Sequence, residues 1–465
     1  MAGGKGGVRA RTAYVGFAAF GAFWGVWGAS VPAIRAQAEL GDGQLGTTLL
    51  FVGAGALPAM LVTGRAVDRW GLRVAAFLLV TLGAVGTLVA VAGRDFWSLS
   101  AGLALLGASS GAADVAINAA AASAERASGR PVITRAHGTF SAMVVVGSLS
   151  AGLLLGGLGA PVVVPFLLVA AASAGAALGV AADRRAASTA STASTAEGAE
   201  GAEGTVREAA GVPSVGGSLA PDTVRAAPVN EKTAPVPAGA ASGAEDAVPD
   251  AAGAARGRHV VRLFPLLVVG GLGALAFAVE NAHQSWGAVY LADVAGAGPA
   301  LASAGPAVFA AVVALTRFAV GAFGSRYATV VLISGAVTAA AGTLLVSGAR
   351  SVPVVLLGLA LAAAGTAVLF PTLMGVVAAQ VGEAARGRAT SVVATVAYLG
   401  FLAGPVYVGR WAEATGLSGA MVAVAALAAA LAALSWPALR TAVHTGSPWE
   451  RGDLHHAEKI SGRTP

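Results

Sequence analysis

The sequence predicts an all-α polytopic membrane protein: twelve transmembrane helices in two six-helix pseudo-repeats, joined by a disordered central cytoplasmic linker. Three observations carry this. Apolar runs of about 20 residues, long enough to cross a bilayer as a helix, recur along nearly all of the 465 residues. Hydrophobic residues make up 56% of the chain and charged ones only 11%, against roughly 25% charge in a soluble domain. The runs fall into two groups of six, separated by a polar stretch.

Lys5, Arg9 and Arg11 precede the first span, residues 13–34, and place the N-terminus inside, because basic residues in short flanking segments stay cytoplasmic. Span 2 covers 44–63 and span 3 covers 74–92, with Arg94-Asp95 as a short outer loop. Span 4 covers 96–122, followed by a basic inner loop from Glu125-Arg126 to Arg135. Spans 5 and 6 cover 136–158 and 161–181 and end at Asp183-Arg184-Arg185. Residues 13–185 thus form one six-helix bundle after a cytoplasmic N-terminus, 1–12. From 186 to 258 Ala, Ser, Thr, Gly, Glu and Pro dominate, and too little apolar surface remains to offset chain entropy. This is the expected linker, either a passive tether or a regulatory segment. The second bundle, 259–440, holds spans at 263–291, 300–323, 328–346, 352–379, 390–410 and 417–439, before a cytoplasmic tail, 441–465. Arg326, Arg386, Arg388 and Arg440 fall on the inner side; Arg35 and Arg350 are the exceptions.

The net charge of +6 reflects this orientation and does not describe a nucleic-acid surface. With no cysteine, thiolate chemistry is excluded. The first span reads as a membrane helix, not a cleavable signal. His455-His456 in the tail is too little for a metal site, and no phosphate-binding loop marks ATP as an energy source. No cofactor is expected. A membrane enzyme would concentrate its polar groups at one membrane surface, whereas here they are spread over both halves.

The turn between spans 2 and 3 is the most distinctive stretch. Gly64, Asp68, Arg69, Gly71 and Arg73 give the pattern G-x-x-x-D-R-x-G-x-R, in which the glycines allow a tight turn and the aspartate can meet backbone N–H groups at a neighbouring helix end. A weaker copy recurs as Gly321, Ser325, Arg326 and Tyr327, with serine for the aspartate. The pattern resembles the signature loop of the major facilitator superfamily of secondary transporters. That resemblance implies two parallel repeats flanking a midplane cavity, with the charged gate carried by the first half.

Candidates for transport lie on three spans. In span 4, Gly107, Gly111, Asp114, Asn118 and Glu125 share a helix face. Asp114 lies about 16 Å inside the level of Glu125. An intramembrane acid is a functional-site hypothesis by default; the alternative is a structural acid paired with an arginine. Glu125 reads as a surface partner of Arg69 or Arg73. His137 and Ser141 open span 5 one turn apart, and His137 at the level of Asn118 would relay protons or be satisfied by a backbone carbonyl. In span 7, Glu280, His283, Gln284 and Gly287 fall on one face, with Asn281 and Trp286 close by. They form either a polyol-binding wall or the watered outer end of the span. Trp24 and Trp27 of span 1 face the same cavity or serve as packing.

The run Asp114, Asn118, Glu125, Arg130-Pro131, His137-Gly138 and Phe140-Ser141 resembles the branch near fucose permeases and rhizopine-associated membrane proteins, as do Ala397-Tyr398-Leu399-Gly400-Phe401 and Gly404-Pro405. That branch implies proton-coupled uptake of a sugar-like solute, yet span 1 carries no acid for the usual coupling site. The expectation is a monomeric secondary active transporter in the cytoplasmic membrane. It would work by alternating access on a small polar solute, with protons and the lipid bilayer as its other partners. The alternatives are a proton-driven exporter of drugs or metabolites and a non-transporting sensor. The exporters' glycine-proline motif is absent, since residues 141–159 contain no proline.

Overall fold

A computed structural model describes residues 3–70, 73–178, 260–261, 263–320, 327–443 and 450–451. The expected linker, Gly71, the repeat motif at 321–326 and most of the tail lie outside the described residues.

The first half comprises α1 Gly3–Gln37, α2 Asp42–Trp70, α3 Arg73–Ala92, α4 Phe96–Ser128, α5 Val132–Gly152 and α6 Val163–Leu178. The second comprises α7 Leu263–Asp293, the short α8 Pro299–Ala302, α9 Ala304–Val320, α10 Ala328–Gly348, α11 Val352–Thr366, α12 Leu369–Gln380 and α13 Glu383–Val443. A two-residue pairing of β1 Val260–Val261 with β2 Glu450–Arg451 is the one strand contact among the described residues. Ten segments are long and apolar enough to cross a membrane; the last, within α13, is two helices divided at Gly416 (φ 76°). With the shorter apolar α6, the described helices make twelve crossings. Leu61, Phe77, Leu153 and Leu158 remain exposed on the surface, as a lipid-facing protein requires.

Several boundaries differ from the sequence reading. α4 continues to Ser128, so the inner loop shrinks to Gly129–Pro131; Gly129 ends the helix in the left-handed region (φ 63°). α5 extends through a π-helical turn, Leu153–Gly157. Span 10 is interrupted at Ala367–Val368, between α11 and α12. Pro371 explains the break: it has no N–H to donate to the Ala367 carbonyl four residues earlier.

The halves pack by matching contacts. A methyl at Gly25 of α1 would strike the Val144 carbonyl of α5, and one at Gly400 of α13 would strike the Ala274 carbonyl of α7. First and fifth crossings of each half therefore touch backbone to backbone, which only a small residue permits. Between the halves, α2 lies against α13 and α5 against α8 and α9. Gly46 packs on Gly409 and on the Pro405 carbonyl, and the buried Ser148 Oγ donates to the Ser303 carbonyl at 2.7 Å. These contacts gather toward the end of the bundle that carries Arg35.

Candidate functional site

Polar groups from both halves meet near the middle of the bundle. On α4, Gly107 and Gly111 press against Val52 and Ala56 of α2. The same face continues to Asp114 and Asn118, which are half-buried. Asn118 Nδ2 donates to Asp114 Oδ1 at 3.0 Å and to the Asp114 carbonyl at 2.9 Å. No arginine pairs with Asp114 among the described residues; instead Tyr398 of α13 lies within electrostatic reach from the opposite half. Tyr398 belongs to an aromatic wall: Phe277 stands 4.4 Å from Phe370, 5.8 Å from Tyr398 and 6.5 Å from Phe401.

One turn along α7 from Phe277, Glu280 Oε1 accepts from Gln284 Nε2 at 3.0 Å and lies 3.4 Å from Arg317 Nη2 of α9. Arg317 Nε donates to the Ala367 carbonyl at 3.3 Å, the acceptor freed by Pro371. Gly138 of α5 packs on Phe318 of α9, which brings His137 within electrostatic reach of Arg317 in the other half; the His137 ring also meets Phe17 at 4.8 Å. Of the two expected roles for His137, proton relay or satisfaction by a backbone carbonyl, the first would place it beside a charged group, and the charged group that acts on it is Arg317. Ser141, one turn on, is half-buried.

The expected single face on span 7 divides in two. Glu280 and Gln284 lie on the less buried side with Arg317, whereas His283 is buried in the second half. His283 Nδ1 meets the Val279 carbonyl at 2.7 Å, Nε2 meets Thr343 Oγ1 at 3.0 Å, and the ring stacks on Phe309. Trp286 is fully buried, and Asn281, also buried, accepts from Ser285 Oγ at 2.8 Å. Residues three apart differ by about 60° around a helix. On a helix packed from both sides, that angle puts His283 against α10 while Glu280 stays at the edge. Trp24 is half-buried beside Phe20 and Phe23, but Trp27 is buried against Phe166 of α6 and belongs to the first half's core.

At the far ends the two charged clusters differ. Arg35 Nη2 lies 2.8 Å from Asp42 Oδ1, Nη1 lies 2.5 Å from Asp293 Oδ2, and Nε donates to the Leu40 carbonyl at 3.0 Å. Arg35 thus ties α1 and α2 to α7 of the other half. At the opposite end Asp68, Arg69 and Arg73 are exposed, and Gly64 faces open space. Asp68 has no ion-pair partner among the described residues. Glu125 does not pair with Arg69 or Arg73; because α4 is longer than expected, Oε2 reaches forward to accept from Ile133 N in the first turn of α5, at 2.9 Å. Gly71 and Arg326 lie outside the described residues.

A family model for the Major Facilitator Superfamily matches residues 12–405, and again 273–459. The chain belongs to the Major Facilitator Superfamily. It is a multi-pass membrane transporter of that superfamily, with secondary transport as its function. An uncharacterized MFS-type transporter of Yersinia pestis is 26% identical over 87% of this chain and 88% of its own. An uncharacterized transporter of Sinorhizobium fredii is 29% identical over 90% of this chain and 97% of its own. Among solved structures, a mutant form of the nucleoside transporter NupG gives a TM-score of 0.65 at 14% identity, covering 93% of this chain and 99% of its own. The D-xylose–proton symporter gives 0.59 at 13% identity, covering 91% and 96%. These likenesses concern the fold.

Arg317 was missed in the sequence, although an arginine inside an apolar span is the kind of signal that marks a functional site in an MFS transporter. Tyr398 was noted for its motif and not for its position. Asp293 has no sequence signal, since its importance depends on how the two halves meet.

Proposed function

We propose that this transporter moves a small, polar, sugar-like solute together with protons across the cytoplasmic membrane, by alternating access and as a monomer. The observation that carries the reading is that the Asn118–Asp114 pair lies within electrostatic reach of Tyr398, and His137, where Gly138 packs on Phe318, within that of Arg317. In each pairing one partner comes from each half, so rocking of the halves would remake both. Asp114 is the proton carrier in this reading: at lipid depth a carboxylate is costly when charged, and among the described residues its direct side-chain partner is Asn118. Both termini are cytoplasmic, so the Arg35 end faces outward and is shut, while the exposed Asp68 end faces the cytoplasm. The branch near fucose permeases and rhizopine-associated proteins supports a hydroxyl-bearing solute. So do the names of two proteins of similar fold, which give a nucleoside and a D-xylose–proton pair.

The test is counterflow in proteoliposomes, with sugars, polyols, nucleosides and cationic drugs in parallel. Exchange of a hydroxylated solute, accelerated by an imposed pH gradient, supports the reading. Exchange confined to cationic drugs overturns the solute class, and no exchange of any solute overturns transport of this kind.

A further inference from the structure

We infer that the transported solute carries a carboxylate, which docks on Arg317. This rests on the transport reading above and narrows its substrate class.

Arg317 is held in a way that leaves its charge available. Its Nε is occupied by the Ala367 carbonyl, which Pro371 deprives of a helical donor; that bond orients the guanidinium plane. Its ion-pair partner Glu280 touches Nη2 alone, at 3.4 Å, longer than the roughly 2.7–2.9 Å of a good charge-assisted hydrogen bond. The same Glu280 oxygen is shared with Gln284 at 3.0 Å. Nη1 has no partner among the described residues, and the Arg317 side chain is 46% exposed while that of Glu280 is 12% exposed. An arginine within an apolar span is costly to keep without a use, and a planar fork with an open edge matches a carboxylate in two-pronged fashion.

The surroundings fit the rest of such a solute. α5 closes on α9 from the opposite half where Gly138 meets Phe318, next to His137 and Arg317, and the aromatic wall around Phe277 begins one turn along α7. Across that wall Asp114 and Asn118 offer hydrogen bonds to hydroxyl groups. A neutral polyol or a cation would leave the open edge of the fork unused. An acid with a hydroxylated or ring-shaped body engages both ends.

The test uses the purified full chain and matched pairs that differ in the carboxylate: D-glucuronate with D-glucose, and 4-hydroxybenzoate with 4-hydroxybenzyl alcohol. Thermal shifts give apparent affinities, and counterflow in proteoliposomes shows which solutes exchange. The acid of at least one pair is expected to bind tenfold or more tightly than its neutral counterpart, roughly the value of a charged hydrogen bond. Arg317→Gln removes that preference, and Arg317→Lys, which retains the charge, keeps part of it. Equal binding within both pairs, no binding of either acid, or undiminished acid binding by Arg317→Gln overturns the inference. If neutral solutes exchange and acids do not, the carboxylate assignment falls and the transport reading stands. If no solute exchanges, the transport reading falls with it.

Discussion

Arg35 and Asp293 lie 258 positions apart, yet their side chains meet at 2.5 Å and fasten the two halves of the bundle together at one end. The same guanidinium holds Asp42 of its own half at 2.8 Å. Arg35→Gln removes the bridge and leaves Asp42, Asp293 and the nearby Glu413 to repel one another. It should open this end more than Asp293→Asn, which leaves the Arg35–Asp42 pair intact. A partly exposed pair is worth about 0.5–1 kcal/mol, so the open population should rise roughly twofold to fivefold. Maleimide labelling of a single cysteine at Ser303 reads this cleanly, because the chain has no cysteine of its own. Labelling of both variants no faster than of the wild-type background would show that the bridge does not hold the gate.

Asp68 makes no ion pair among the described residues in this conformation, where its end of the bundle is exposed. A contact made in only one state is the kind that moves an equilibrium. Asp68→Asn should therefore leave this conformation intact, raise its population and slow transport. Cysteine accessibility near the inner ends of α2 and α13, together with flux, checks both parts. Unchanged accessibility with full activity would remove Asp68 from the mechanism.

His283 should behave as a structural residue. Both ring nitrogens are engaged, by Val279 and Thr343, and the ring stacks on Phe309. His283→Ala should lower stability by about 2–4 kcal/mol through lost packing and the lost hydrogen bonds to Val279 and Thr343. Solute affinity per folded molecule should stay as in the wild type. A large loss of affinity without loss of melting temperature would return His283 to the binding site.

Asn118 should contribute to binding whatever the pH. Asn118→Ala removes the Asp114 contact and one amide donor, at roughly 1 kcal/mol or near fivefold in affinity. Titration of solute binding at two pH values checks it; an effect confined to one pH would assign Asn118 to proton handling instead.

The twelve crossings were legible because a span announces itself by apolar length, and the signature turn because its charges interrupt that length. Angular spacing on α7 was legible too, but it cannot say what packs on each side; hence Glu280 and Gln284 stayed beside Arg317 and His283 did not. Arg35 stood out only as a basic residue on the wrong side. The acids that hold it come from α2 and from the second half, and that proximity appears only in three dimensions. The sequence reading ran span 10 unbroken through Pro371, and so gave no sign of the freed carbonyl that Arg317 fills.

Uptake against a pH gradient by Asp114→Asn is the most direct test of proton-coupled transport through the interface between the halves. Proteoliposomes holding wild type or the variant are given the solute found by counterflow, with and without an imposed gradient. The substitution keeps shape and hydrogen-bonding capacity but cannot titrate. The variant should bind and exchange the solute like the wild type while losing accumulation driven by the gradient. Accumulation equal to wild type would contradict the account and place the proton elsewhere, or make the protein a uniporter.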